Sequence, residues 1–209
     1  MISKCILAIL RAMKVYENYL VTSKLNLDLP AIKNSCYKML DVINKNFTVF
    51  TDGGYEDASG KSPMSTRVHN QYNLLLFNFD EFHSLYFEIQ KLFREVNSRD
   101  DKYYIQAWLN MYKKGEFIDW HEHYPPHCNS WHGFYCVDCE PSKTTYKIPN
   151  VSEPVDIVSE NNLLVMSRSA GDWHRTWPWE YEDRDRITIA FDIVPRKSVD
   201  DSLNHWMPI

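Results

Sequence analysis

One stretch of the chain, from residue 101 to about residue 195, constrains the fold more than any other. Seven short apolar-aromatic runs lie in it: 103–112, 116–123, 131–137, 144–148, 155–158, 162–167 and 186–194. Turn residues separate them. Short strands at that spacing are the mark of an all-β sandwich or barrel. The text before residue 101 has a different period. Asp28 followed by Leu29 and Pro30 reads as a helix start, with Asp28 near the cap and Pro30 in the first turn. Ile32, Cys36, Met39, Leu40 and Ile43 then recur at helical spacing. Thr51 to Ser65 reads as a loop, with Gly53, Gly54, Gly60 and Pro63 among polar residues. A second helix is expected from Asp80, with Phe82, Leu85, Tyr86, Ile89, Leu92, Phe93 and Val96 on one stripe.

At 209 residues the chain is one domain's worth, long enough to bury its own core. The expected layout is a single domain over 1–209. Residues 1–13 form a possible N-terminal extension, 14–100 a helical supporting region with its loop, 101–197 the β core and 198–209 a tail. Met13 is a conceivable second start. Hydrophobic residues at 44% and charged residues at 24% exclude a disordered chain, a collagen and a coiled coil. Aromatics at 14% fit a broad β core or an aromatic-lined pocket. The net charge of -5 and the lack of a Lys/Arg stripe speak against nucleic acid as a partner. No apolar run approaches the ~20 residues of a membrane span. Cys5–Leu10 is too short for a signal peptide's apolar region. Five cysteines without an export signal read as reduced thiols in a cytoplasm.

Three features of the β-rich half carry chemistry. The first is Trp120-His121-Glu122-His123. If 116–123 is a strand, His121 and His123 point the same way, about 7 Å apart, and Glu122 points the other. Two imidazoles so placed can share a metal ion. The alternative is a pair of surface histidines, or Glu122 swinging inward if the strand ends before Pro125-Pro126. The second feature is Gly171-Asp172-Trp173-His174. The intervening chain has room for about four short strands, so a jelly roll can bring His174 back beside the pair. The third is Arg186-Ile187-Thr188-Ile189-Ala190-Phe191. Strict alternation puts Arg186, Thr188, Ala190 and Asp192 on one face, where Arg and Thr side by side can clamp a carboxylate. Arg184 has the same parity and is the rival.

The order His-x-ligand, some fifty residues, His, then Arg-x-Thr on a final strand resembles the iron(II)- and 2-oxoglutarate-dependent oxygenases. It is most similar to their prolyl-4-hydroxylase-like branch, including oxygenases of bacteria and marine phages. "LNMYKKGEFIDWHEH", "HGFYCVD" and "RITIAFDIVP" fit that branch, and the resemblance covers roughly residues 103–195. It implies a mainly β fold with flanking N-terminal helices: a double-stranded β-helix, the cupin-like jelly roll. It implies iron(II) on His121 and His174, with His123 where most of the superfamily has a carboxylate. 2-Oxoglutarate would be held by Arg186 with Thr188 assisting and with Tyr135 or Tyr112 as a hydroxyl partner. Dioxygen is the further cosubstrate. The resemblance leaves the substrate unspecified and implies a peptidyl residue such as proline, with small molecules also open; the expected place of action is a cytoplasm, the host's if the chain is phage-encoded.

Two other readings compete. Gly115-x5-His121-x-His123 and Gly171-x2-His174 match parts of the cupin metal motif, but the expected Glu and Asn are absent, and a cupin has no use for Arg186-x-Thr188. Cys136-x2-Cys139, with Cys128, His127 and His132 nearby, has zinc spacing but lacks a second distant pair.

Overall fold

The computed structural model describes residues 13–16, 19–46, 72–169, 171–199 and 205–209. The loop expected over 51–65 lies outside the described residues, as does nearly all of the expected extension 1–13.

Helix α1 runs Leu29–Asn46 and α2 runs Asp80–Val96. The Asp28 carboxylate accepts the Ala31 N–H at 3.1 Å, as an N-terminal cap does. Asp80 and Glu81 sit in the first turn of α2, where the helix dipole favours negative charge. Ile32, Cys36, Met39 and Ile43 of α1 are buried, as are Phe82, Leu85, Ile89, Leu92 and Phe93 of α2. These stripes cover one face of a sheet. Phe93 meets Tyr103 and Trp131 edge-on, with ring centroids 5.0 and 6.1 Å apart.

The strands are β1 Met13–Tyr16, β2 Leu20–Lys24, β3 Tyr103–Tyr112, β4 Trp131–Asp138, β5 Ser142–Lys147, β6 Val155–Ser159, β7 Leu163–Arg168, β8 Trp173–Thr176, β9 Arg186–Pro195 and β10 Met207–Pro208. A large sheet has the order β1-β2-β7-β4-β9-β3-β10, and a small one the order β6-β5-β8. All the pairings are antiparallel. The result is a jelly roll, with the helices outside the large sheet and a polar layer between the two sheets.

Several expected boundaries change. The expected strand over 116–123 does not form; only His121 makes a bridge, to His174. Side-chain oxygens take two of its backbone donors instead. Ile118 N–H goes to the Thr176 hydroxyl at 2.8 Å, and Trp120 N–H to the Asp119 carboxylate at 2.8 Å, a competition that breaks a ladder. Strand β8 was not expected at all. β1 and β2 lie in stretches read as extension and helical support, and β10 in the expected tail.

Register fixes which residues face the interior. On β9, Arg186, Thr188 and Asp192 stand opposite Tyr112, Asn110 and Gln106 of β3. Thr188 and Asp192 also stand opposite Cys136 and His132 of β4. Residues directly opposite share a face, so these form one polar layer. Gly133 permits the close packing of the other face: a β-carbon there would overlap the Val165 carbonyl oxygen and the Phe191 ring.

Candidate active site

His121, His123 and His174 come together. One ring nitrogen from each can be chosen so that all three lie within 4.8 Å of one another. His174 is held by β8. His121 is held by the paired bonds His121 N–H to His174 carbonyl and the reverse, both 3.0 Å. Glu122 is exposed and outside this group.

The tautomers are set by neighbours. His121 Nδ1 donates to the Asp119 carbonyl at 2.8 Å, and His123 Nδ1 to Asp192 Oδ1 at 2.5 Å. In each ring a proton on Nδ1 leaves a lone pair on Nε2, the arrangement that orients metal-binding imidazoles. His174 Nδ1 is buried and has no hydrogen-bond partner. Burial, with the neighbouring His123 next in size, pushes the His121 pKa down to about 3. Burial and the His121 charge push His174 well below its ordinary value. Both rings are therefore neutral at pH 7, the form in which imidazole binds a metal.

Behind this trio lies a second layer that sequence reasoning missed. His132 is buried, and its ring stacks on those of His123 and His174 at 4.4 and 4.5 Å. His132 Nε2 and the Ser167 hydroxyl both donate to Asp172 Oδ2, at 2.7 and 2.6 Å. Burial disfavours the His132 cation, but the Asp172 charge and hydrogen bond outweigh it and raise its pKa. Tyr146 stacks on His174 at 5.1 Å, and its buried hydroxyl is unpartnered. His132, Asp172 and His174 also lie close enough to share an ion. Asp192 shares parity with Arg186, and that was the one available signal for it. Asp172 sits two residues before His174, but nothing in the sequence joins it to His132.

Farther along the same face is Arg186, 1% exposed. No carboxylate among the described residues pairs with it. Its Nε donates to the Ser142 hydroxyl at 3.1 Å, and its guanidinium lies over the Tyr112 ring at 5.4 Å. Thr188 is buried on the same face, and the Tyr112 and Thr144 hydroxyls are buried without partners. Burial raises the Tyr112 pKa against the lowering effect of Arg186, so the phenol remains a donor. Arg184, the rival, is fastened elsewhere. It donates to the Glu140 carbonyl at 2.7 Å and lies 3.9 Å from Asp138.

Tyr135 does not join this group. It stands opposite Ile189 and Leu164, on the helix-facing side, and its hydroxyl donates to Asn162 Oδ1 at 2.5 Å. The cysteines do not form a metal group either: among the described residues, none of the clusters able to hold an ion contains one. Cys136 and Cys139 are buried and hydrogen-bonded to each other.

No protein-family model and no curated protein sequence matches the chain. Solved structures do. A Pseudomonas putida prolyl-4-hydroxylase aligns over 85% of this chain and 92% of its own, at 11% identity and a TM-score of 0.54. The viral collagen prolyl hydroxylase of Paramecium bursaria Chlorella virus-1, solved as a 2-oxoglutarate complex, aligns over 85% and 96%, at 12% identity and 0.54. A prolyl hydroxylase from Trichoplax adhaerens, solved with a peptide fragment of hypoxia inducible factor, aligns over 88% and 89%, at 14% identity and 0.58. The chain has the prolyl hydroxylase fold. Identities this low carry the double-stranded β-helix architecture and leave the chemistry to the residues. Among the described residues, no helix of this fold is long and apolar enough to cross a membrane.

Proposed function

We propose that this chain is an iron(II)- and 2-oxoglutarate-dependent dioxygenase that hydroxylates a peptidyl residue or a small molecule. One observation carries the reading: a trio of converging imidazoles and a buried arginine without an acid partner share the interior of one jelly roll. An unpaired buried charge is costly, so such an arginine belongs to a site that receives an anion.

The residues fit both groups. His121, His123 and His174 would hold iron(II), and His174 Nδ1 is a buried polar atom still without a partner. Arg186 would bind the distal carboxylate of 2-oxoglutarate, with Thr188 and the unpartnered Tyr112 hydroxyl as further donors. When bound, iron and 2-oxoglutarate supply the oxidation of a C–H bond by dioxygen, with succinate and carbon dioxide as co-products. This chain's own residues orient and exclude. Asp119 and Asp192 fix two imidazole tautomers. Trp108, stacked on His123 at 6.2 Å, and Tyr146 keep water from the rings. His132 Nε2 and Asp172 Oδ2 are bonded to each other at 2.7 Å. They are better placed to brace the trio than to bind an ion.

The test is anaerobic titration of the metal-free protein with iron(II) and then 2-oxoglutarate. A visible charge-transfer absorption that needs both is expected, and it should be absent in His174→Ala. Iron binding without that absorption favours a cupin-type metal protein instead.

A further inference from the structure

Trp131 and Arg168 face each other where β4 begins and β7 ends. One residue beyond, Ser169 N–H donates to the Ser130 carbonyl at 3.0 Å. A cleft of about 70 Å³ opens at this rim, lined by Arg99, Arg168, Ser130, Ser169, Asn129 and Trp131, with Pro126 beside them. A single water needs about 10–15 Å³, so the cleft holds more than one.

Its chemistry is one-sided. Ser130 and Ser169 are each 2% exposed, and both hydroxyls are buried without a hydrogen-bond partner. The Arg168 guanidinium lies over the Trp131 ring at 5.1 Å, which covers one face and leaves its edge donors for the cleft. Arg99 enters from the loop after α2. Asp101 acts with Arg99 and Arg168 on Tyr103. Yet neither arginine forms an ion pair with a described residue. Two guanidinium groups and two idle buried hydroxyls suit a tetrahedral or planar oxyanion.

The place in the fold says what the anion belongs to. Ser130 lies two residues before His132, and Ser169 two after Ser167, which braces Asp172. Two residues along a strand is about 7 Å, so the cleft opens one step from the layer behind the imidazole trio. We infer that this cleft is a substrate-anchoring subsite for an oxyanion, a carboxylate or phosphate group on the molecule to be hydroxylated. The inference rests on the oxygenase reading for its word "substrate", but not for the binding itself.

The test uses the full chain, metal-free, with Arg186→Gln so that the interior arginine takes no anion. Inorganic phosphate and, separately, acetate are titrated by calorimetry at low ionic strength. Saturable binding of one anion per chain is expected. Adding Arg168→Gln should weaken it about 10–100-fold, the usual worth of a charge-assisted contact. Adding Ser130→Ala with Ser169→Ala should weaken it about 3–10-fold without lowering the melting temperature, because each removed hydroxyl has no partner to lose. Tighter phosphate binding assigns the anchor to a phosphate group, and equal or tighter acetate binding to a carboxylate. No saturable binding, or binding indifferent to both sets of substitutions, overturns the inference. In otherwise unaltered protein, Ser130→Ala with Ser169→Ala should still give the iron and 2-oxoglutarate absorption. Failure of that absorption in the unaltered protein too removes the oxygenase reading, while the anion titration stands by itself.

Discussion

The interior of the barrel has two polar ends, and they are built on opposite plans. At the histidine end the converging rings are held in place: Asp119 and Asp192 each hold one, and Asp172 holds His132 and Ser167, while His174 Nδ1, Asp172 Oδ1 and the Tyr146 hydroxyl stay unpartnered. At the arginine end the partners are missing. Arg186 has one hydroxyl contact, and the Tyr112 and Thr144 hydroxyls have none. The first plan pre-sets tautomers so that lone pairs converge on a point, as a metal requires. The second leaves donors idle around a buried cation, as an incoming carboxylate requires. A resident group and a cosubstrate that enters and leaves at each turnover would need this difference. Both ends hang on β9, which makes their separation a matter of strand geometry and not of flexible loops.

If the comparison holds, His174→Ala gives the largest effect. Iron(II) affinity should fall by more than the ~10–100-fold that loss of a supporting partner costs, because a ligand itself is gone. Equilibrium dialysis against iron(II) reads this directly, and unchanged affinity would place the metal elsewhere. Arg186→Gln comes next. The 2-oxoglutarate concentration needed for half-maximal charge-transfer absorption should rise about 10–100-fold, while iron binding stays the same. Removing Arg186 strands no acid, so the melting temperature should hold. A fall in stability that parallels the loss of 2-oxoglutarate binding would make the arginine structural and erase the contrast between the ends.

How much of this was legible in the sequence depended on how each strand is buried. Helix α2 starts at the residue its pattern indicated, since a one-sided stripe has one solution. β9 alternates polar and apolar residues, so Arg186, Thr188 and Asp192 could be assigned to one face. β4 could not be read that way. Every residue of Trp131–Asp138 is buried, and a strand buried on both faces shows no alternation. A register shift between Cys136 and Asp138 adds to the ambiguity. Nothing in the sequence of β4 therefore tells that Tyr135, which the resemblance places beside the cosubstrate, faces the helices, or that His132 belongs to the interior and not to a cysteine cluster. The stretch 116–123 misled in another way. Its residues suit a strand, yet the Asp119 and Thr176 side chains intercept its donors. The His-x-His spacing still delivers both rings to one place, because the bridge from His121 to His174 supplies the alignment that a regular strand would have given.

Asp192→Asn sharpens the histidine end. The amide cannot fix the His123 tautomer as a carboxylate does, so iron(II) affinity should fall about 10–100-fold while iron still binds. 2-Oxoglutarate affinity, measured at saturating iron, should not move. A change in 2-oxoglutarate affinity without a change in iron affinity would reverse the assignment of the two ends.

The smallest effects separate two tyrosines on opposite faces of one sheet. Tyr112→Phe deletes a buried hydroxyl that now bonds to nothing, so stability should hold or rise slightly. The 2-oxoglutarate requirement should rise about 2–10-fold if that hydroxyl donates to the bound carboxylate. Tyr135→Phe should do the reverse. It breaks the bond to Asn162, which also ties down the backbone of Leu27 at 3.1 and 3.2 Å. A loss of about 1 kcal/mol in chemical denaturation is expected, with no change in the 2-oxoglutarate requirement. The pair works because the two substitutions are chemically identical and the faces alone differ. If both shifted the cosubstrate requirement equally, the effect would come from general loosening of the large sheet, and the idle hydroxyl of Tyr112 would have no part in anion binding.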